Sequence, residues 1–398
     1  MLRLFNPDGT QIGVIEQYES LEWTHRWREP GEFVLHVYDE DPYSQDVTRG
    51  RLLVLEDSPE VAGVIRYRSR RLDEFTGESG VWEIRGGTLQ SVLGQRIVLG
   101  ATSYSGSAET IMKSFVDAQL VNPTDPDRKI DQMSIATDQL RGGTIAWPPG
   151  AYQNVSEILR KISESQDLGW DVHIQWDPWA WVFDIYEGVD RSTINNDGNA
   201  PVIFSIELDN LREQEYTEDG LSYRSVVIVG GQGSGAERTL VQVGGGTGFE
   251  RFEDWVDARD TDDTNALTSR GNQRLAEADM LETLSAQIFP FAQFKYREDY
   301  NLGDKVTLRA EGQTLHRRIT SVVEEYRSGQ PYNLQVSFGS REAGMQGIIR
   351  RIDDDPVVES GGAVENNVTS DTDRIIHVST AEPTAQDGAD GDIWLRYE

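Results

Sequence analysis

The chain has 398 residues, which at roughly 100–200 residues per domain corresponds to about two to four domains. Asp and Glu total 68 against 37 Lys and Arg, which gives a formal net charge of −31. This charge argues against binding of duplex DNA or anionic membranes over the general surface, because phosphates and lipid headgroups would be repelled. The absence of cysteine excludes disulfides, thiolate zinc sites and cysteine nucleophiles.

The first hundred residues predict short β-strands. Two alternating apolar runs, at 2–4 and 12–14, flank the turn sequence 6–9, which indicates a hairpin. Further strands are predicted at 32–38, 52–55, 61–68 and 81–85. Strands at this spacing predict a small barrel or sandwich.

The hydrophobic period becomes helical in the next hundred residues. Ser107 and Asn154 are predicted N-caps of two helices whose apolar residues recur on one face. Gly169 is expected to end the second helix. Residues 170–176 then alternate as a strand, and a turn at 177–178 leads to a second strand. A helix pair packed on a hairpin is therefore predicted.

The β pattern returns from about 203, with a helix predicted near 264–279 and a regular set of strands over 284–340. The predicted fold is thus a β-rich α+β class. It has two β-barrel parts, an inserted α+β part, a further small β part, a linker and a short C-terminal strand. The β-barrel parts are predicted at residues 1–100 and 203–283, and the α+β part at 101–202. The small β part is predicted at 284–345, the linker at 346–374 and the C-terminal strand segment at 375–398.

A glycine-rich run, 230–235, follows an apolar strand and superficially resembles a dinucleotide-binding loop. That motif requires a helix immediately after the glycines, so that the phosphates meet the helix N-terminus. Residues 239–243 instead alternate like a strand, which favours the tip of a hairpin. No lysine of the Walker type follows any glycine loop, so nucleotide binding has no support.

The ionisable residues predict no catalytic or metal site. None of the five histidines forms an HxH or HxxxH pair. Six carboxylates crowd residues 253–263 beside Trp255, where a calcium loop is conceivable. The segment lacks the glycine and the terminal Glu of an EF-hand, so a solvated acidic face or a helix N-terminus is favoured. No catalytic residue, cofactor or metal ligand is predicted.

Four tryptophans cluster around the hairpin predicted after 169. Trp170 and Trp176 lie at the two ends of an alternating apolar face, and core positions under the two helices are favoured for both. A sugar-binding platform would have a similar composition. Trp179 is left open between these interpretations and is the predicted candidate for a glycan contact.

Several segments resemble the tail-hub proteins of long-tailed phages, a family of siphophage tail-associated proteins. The first is residues 18–37, an aromatic-rich arm followed by the strand pattern Gly31-x-Phe33-x-Leu35. The other segments, in chain order, are 62–65, 84–89, 93–96, 108–112, 169–172, 301–306 and 318–320. Their order over roughly residues 1–345 carries the resemblance, since no single segment is specific.

The resemblance implies a non-enzymatic homotrimer in the virion, at the distal end of the tail. Two hub β-barrel domains per chain would form a ring of six that matches a hexameric tail tube. Its implied partners are the distal-tail adaptor protein, the tail tube protein and the tape-measure protein, with DNA only as transiting cargo. No signal peptide or membrane-spanning stretch is recognised, so assembly in the bacterial host cytoplasm without stable membrane insertion is expected.

The C-terminal segment is expected to dock on a separate tip or fibre protein. The candidate docking residues are Ile393, Trp394, Leu395 and Tyr397. Relatives often carry a fibre or lytic domain after the hub, and neither is expected within this chain. Two alternatives stay open, namely a tail-associated cell-wall hydrolase and a carbohydrate-binding adhesin of the tail tip.

Overall fold

The computed structural model describes residues 1–70, 80–100, 102–278, 281–288, 293–310, 313–339, 376–379 and 393–396. The chain divides into two units, Met1–Arg351 and Ile352–Glu398. The described elements are mostly strands, with three α-helices and several short 3-10 and π-helical segments, so the predicted β-rich α+β class is confirmed. None of the helices in the described ranges is long and apolar enough to cross a membrane.

The N-terminal part consists of strands joined by tight turns. The strands are β1 (Leu2–Phe5), β2 (Gln11–Ile15), β3 (Tyr18–Arg26), β4 (Glu32–Tyr38), β5 (Leu52–Leu55), β6 (Ser58–Arg70) and β7 (Val81–Thr88). The predicted first hairpin is confirmed, with Leu2 opposite Ile15 in antiparallel register. Strand β4 buries Phe33, Leu35 and Val37, which alternate as the sequence pattern predicts.

The central part is the α+β section. Its elements are β8 (Tyr104–Ser107), α1 (Ala108–Val116), β9 (Met133–Ile135), β10 (Thr144–Trp147), α2 (Val155–Gln166), β11 (Gly169–Trp176) and β12 (Trp179–Tyr186). Both predicted N-caps are confirmed, because the Ser107 hydroxyl accepts from the amide of Thr110 and the Asn154 side chain accepts from that of Ser156. The helices bury their apolar faces against the β11–β12 hairpin.

The predicted end of α2 at Gly169 is wrong. The helix ends at Gln166, and Asp167 takes the left-handed conformation, with φ of 54°, that terminates it. Gly169 is instead the first residue of β11, where a Cβ atom would lie 2.5 Å from the indole of Trp27. The glycine is therefore required by packing rather than by the helix end.

The last part of the first unit contains a helix and most of the remaining strands. They are β13 (Ile203–Ser205), β14 (Leu211–Asp219), β15 (Val226–Gly230), β16 (Leu240–Gly244), β17 (Glu253–Asp257), α3 (Thr264–Glu277), β18 (Leu281–Ile288), β19 (Lys305–Ala310), β20 (Gln313–Arg327) and β21 (Asn333–Gly339). Strands β16, β15 and β17 form a separate sheet with α3 on one face. The glycine-rich run joins β15 to antiparallel β16, which confirms the hairpin interpretation.

Thirteen strands form one sheet in the order β14-β18-β21-β20-β3-β4-β7-β6-β5-β1-β2, with β19 on β20 and β13 on β19. The fifteen-residue strand β20 pairs with β19 through its first half. Its second half lies between β21 and β3. The predicted domain boundary between residues 283 and 284 falls inside β18, which pairs with both β14 and β21.

The separate β-barrels expected from the sequence are not observed, because no sheet of the described strands closes on itself. The physical reason is the pairing of β20 with β3, which joins the N-terminal strands edge to edge with the later ones. The second unit contributes two further strands, β22 (Ile376–Ser379) and β23 (Ile393–Arg396), which pair in parallel.

Trp27 connects three parts of the first unit just beyond the end of β3. Its amide donates to the carbonyl of Thr320 at 2.9 Å, and its carbonyl accepts from the amide of Trp170 at 3.3 Å. The indole is 6% exposed and fills the space that side chains at positions 169 and 303 would need. The α+β section is thereby packed against the junction of β3 and β20.

We expect Trp27→Ala to lower the free energy of unfolding by about 3–5 kcal/mol, since it empties a buried site that three segments share. Trp176→Ala is the matched control, because that indole is 40% exposed. We expect the control substitution to lower the free energy of unfolding by about 1 kcal/mol. Denaturant titration of both variants measures the difference, and equal losses would contradict the junction described for Trp27.

Candidate functional site

The predicted C-terminal docking residues fall in the second unit. Ile393, Trp394 and Leu395 lie on β23, and Tyr397 lies outside the described residues. Strand β23 pairs with β22 in parallel, with Ile393 opposite Ile376. Docking of this segment on a partner stays a prediction.

Trp179 begins β12, at the turn of the β11–β12 hairpin. Its indole N–H donates to the carbonyl of Pro7 at 3.0 Å, and its ring stacks on Phe5 with centroids 5.7 Å apart. A Cβ atom at Gly9 would lie 2.5 Å from the ring, so the indole covers the turn between β1 and β2. Trp179 therefore holds two hairpins together, and the glycan contact predicted for it stays a prediction.

The two tryptophans of β11, Trp170 and Trp176, differ from each other. Trp170 is buried, as the core interpretation predicts. The core prediction for Trp176 is wrong, because its indole is 40% exposed. Strand alternation places both residues on one face, but Trp176 is the last residue of β11, opposite Trp179 and beside the turn. Periodicity identifies a face and does not identify where the covering helices stop.

The acidic segment 253–263 is held by arginines and by a helix end. Asp254 accepts from Arg274 at 2.7 Å, and Asp260 accepts two hydrogen bonds from Arg270. Asp263 caps α3 by accepting from the amide of Asn265. This confirms the prediction of a solvated face and a helix N-terminus. Within the described ranges, no three residues of the His, Asp and Glu types are arranged to hold a metal ion.

A buried carboxylate lies where β3 and β20 pair, and no sequence motif indicates its partners. Glu324 of β20 is 1% exposed. Its Oε1 lies 2.7 Å from Nε2 of His25 on β3 and 2.6 Å from a guanidinium nitrogen of Arg297. Its Oε2 accepts from the hydroxyls of Tyr326 at 2.8 Å and Tyr332 at 3.0 Å.

The donors in this cluster determine its protonation. Burial by itself would raise the pKa of Glu324, but the hydrogen bond from His25 and the charges of His25 and Arg297 lower it to about 2. An ionised carboxylate only accepts hydrogen bonds, so Nε2 of His25 carries the proton between the two groups. Burial and the adjacent carboxylate raise the pKa of Tyr326 and of Tyr332, so both hydroxyls stay protonated and donate.

The geometry gives the cluster a structural role. Both carboxylate oxygens are occupied by protein donors and are inaccessible to solvent, so Glu324 is unsuited to proton transfer with a substrate. His25 and Glu324 are 299 residues apart in sequence. The cluster therefore fixes the register in which the N-terminal strands meet the later ones. Short-range sequence patterns carry no signal for a contact of this separation.

We expect Glu324→Gln to lower the free energy of unfolding by about 3 kcal/mol or more, because Arg297 loses the carboxylate that compensates its charge and His25 loses an anionic acceptor. Glu325→Gln is the matched control, since Glu325 is the next residue and pairs with Arg327 at the surface. We expect the control substitution to lower the free energy of unfolding by about 1 kcal/mol or less. Urea titration of both variants distinguishes a buried ionic junction from a generic effect of charge.

The pKa of Glu324 also predicts how stability depends on pH. Because the folded-state pKa of about 2 lies below the ordinary value of 4.5, the carboxylate stabilises the fold fully above about pH 4.5. This contribution, about 3 kcal/mol from the size of the shift, is lost as the pH falls from 4.5 to 2. We expect the difference in unfolding free energy between wild type and Glu324→Gln to shrink over this interval. A difference independent of pH would contradict the assignment.

Three solved structures share the fold over nearly their whole length. A tail protein from Neisseria meningitidis MC58 has 14% identity and a TM-score of 0.55, covering 85% of this chain and 95% of its own. The prophage MuSo2 43 kDa tail protein from Shewanella oneidensis has 9% identity and a TM-score of 0.56, and the match covers 85% of this chain and 97% of that protein. Prophage tail protein gp18 from Listeria monocytogenes EGD-e has 11% identity and a TM-score of 0.50, and the match covers 88% of this chain and 98% of that protein.

Among curated proteins, a sequence search finds no match to the chain. A family model does match, and it covers residues 1–340, which include all of the described part of the first unit. This range also contains the Glu324 cluster, the Trp27 junction and the small sheet under α3. The chain therefore belongs to the family of siphovirus ReqiPepy6 Gp37-like proteins.

Proposed function

We propose that the protein is a structural subunit of a phage tail and forms the hub at its distal end. One observation carries this proposal, namely that the fold matches three tail proteins, two of them prophage proteins, over 95–98% of their length. Membership of a siphovirus family supports the same assignment. The ionic cluster at Glu324 supports a structural role, since it strengthens a junction and leaves no reactive group exposed.

The hub would be a homotrimer, as the resemblance implies. Each chain has two strand-rich parts, so three copies present six such parts to a hexameric tail tube. The open sheets of one chain would be completed by neighbouring copies in the ring. The pairing of β3 with β20 fixes the two parts of each chain relative to each other, which a ring of alternating parts requires.

The ring would contact the distal-tail adaptor and tube proteins on one side and the host-facing tip on the other. The tape-measure protein and then DNA would pass through its lumen. A trimer carries about three times the charge of −31. If carboxylates line the lumen they repel DNA phosphates, so DNA passes without binding.

The second unit would dock a separate tip or fibre protein. Two isolated strands are marginally stable in water, and parallel strands are ordinarily buried on both faces. Pairing of β22 with β23 alone therefore leaves the segment in need of further packing. Ile393, Trp394, Leu395 and Tyr397 are the residues proposed to provide it.

We expect light scattering on the purified chain to give a mass near three times the 44.7 kDa of one chain, with ring particles in the electron microscope. The matched control is a chain limited to residues 1–351, which lacks the second unit. We expect it to form the same rings and to lose binding to the tip protein. A monomer that persists at high concentration would contradict the hub, and release of soluble fragments from host peptidoglycan would favour the hydrolase alternative.

A further inference from the structure

The small sheet of β16, β15 and β17 has helix α3 on one face and two exposed apolar side chains on the other. Helix α3 packs on Val227, Val229 and Val243, all of which are buried. By strand alternation and register, the opposite face carries Leu240 and Trp255. These side chains are 59% and 46% exposed, whereas Val226 of the central strand is buried on the same face.

The exposed indole has a fixed position on this face. A Cβ atom at Gly230 would lie 2.4 Å from the six-membered ring of Trp255. The indole therefore extends across β15, in the volume that a side chain at 230 would fill. The guanidinium of Arg238 lies 4.9 Å from the ring centroid and is held by the carbonyls of Gly230 at 2.8 Å and Gly231 at 2.9 Å. An aromatic surface supported by backbone is thus presented to solvent.

Polar groups flank the indole on both sides. Strand β17 places Glu253 and Asp257 on the same face as Trp255, two residues to either side. Asp257 pairs with Arg238, and Glu253 pairs with Arg251. Arg251 also donates to the side-chain oxygen of Gln242 at 3.1 Å, and Gln242 lies in register with Trp255 through Ile228 of β15. Each flank therefore offers oriented donors and acceptors.

We propose that the Trp255 face is a binding site for a neutral oligosaccharide. A pyranose ring has an apolar C–H face that packs on an indole, and its hydroxyls both donate and accept hydrogen bonds. Paired carboxylates and guanidinium groups beside the ring match such hydroxyls. The central part of a protein–protein contact is depleted in charged residues, whereas four charged residues adjoin this indole. A cationic ligand is disfavoured because the guanidinium of Arg238 already lies over the ring of Trp255.

This site is separate from Trp179, whose ring is engaged by Phe5 and by the first turn. It also does not depend on the hub, because the small sheet is an insertion between β14 and β18. The two proposals can therefore fail independently. Loss of sugar binding leaves trimer formation unchanged, and a monomer can still bind sugar.

Saturation-transfer NMR and calorimetry on the full chain test the site, with N-acetylglucosamine trisaccharide and maltotriose as probes. We expect one of them to bind and Trp255→Ala to weaken its affinity at least about tenfold, as loss of an aromatic stacking partner does. We expect Asp257→Asn to weaken the affinity for the same sugar severalfold, because it removes a carboxylate beside the ring while the indole of Trp255 remains. Trp176→Ala is the matched control, since it removes an exposed indole from a different hairpin, and we expect it to bind like wild type.

Circular dichroism and thermal unfolding establish that each variant is folded. Absence of binding by both sugars at millimolar concentration would overturn the proposal. Binding that Trp255→Ala leaves intact, or that Trp176→Ala removes instead, would overturn it as well. If a folded Trp255→Ala variant loses only a protein partner, the face is a protein interface and the saccharide assignment is wrong.

Discussion

The pairing of β3 with β20, and the buried carboxylate of Glu324 that accompanies it, is the constraint on which the rest of the first unit depends. Backbone pairing alone would join two strand edges in more than one register, since neighbouring registers use the same donors and acceptors. The cluster removes this freedom. A buried ionised carboxylate is costly unless its donors are in place, and those donors come from β3, from β20 and from the segment around Arg297.

The same junction positions the other parts of the chain. Trp27 follows β3 directly, and its indole contacts the first residue of β11 and the turn before β19. Asp167, at the end of α2, binds both Arg28 and Arg318, so the helix end is held to the segment that follows β3 and to β20. The small sheet with α3 enters the chain elsewhere, between β14 and β18. This arrangement separates a shared structural centre from an insertion that is free to carry a ligand.

Local features of the fold were predictable from the sequence because their determinants are local. Ser107 and Asn154 cap helices through amides two or three residues away, and the first hairpin is specified by the turn between its strands. Gly169 shows the limit of such reasoning. Glycine after an apolar run is typical of a helix end, yet this glycine is needed because Trp27, 142 positions earlier in the chain, occupies the adjacent space.

The candidate sites also differ in whether their determinants are local or distant in the sequence. The acidic run 253–263 was interpretable because its helix cap is local. His25 and Glu324 lie 299 residues apart, and neither belongs to a motif, so no pattern indicates that they meet. The wrong core prediction for Trp176 has a related reason. Alternation places an indole on a face of a sheet, but whether a helix covers that face depends on the length and direction of distant elements.

The central claim is that the two strand-rich parts form one cooperative sheet through β3 and β20. Native-state hydrogen exchange of the wild-type chain tests it most directly, because it measures the opening free energy of each strand separately. The account predicts that the most protected amides of β3, β4, β20 and β21 open with one common free energy and respond alike to denaturant. Separate opening free energies for β3–β4 and for β20–β21 would show two independent sheets and would contradict the account.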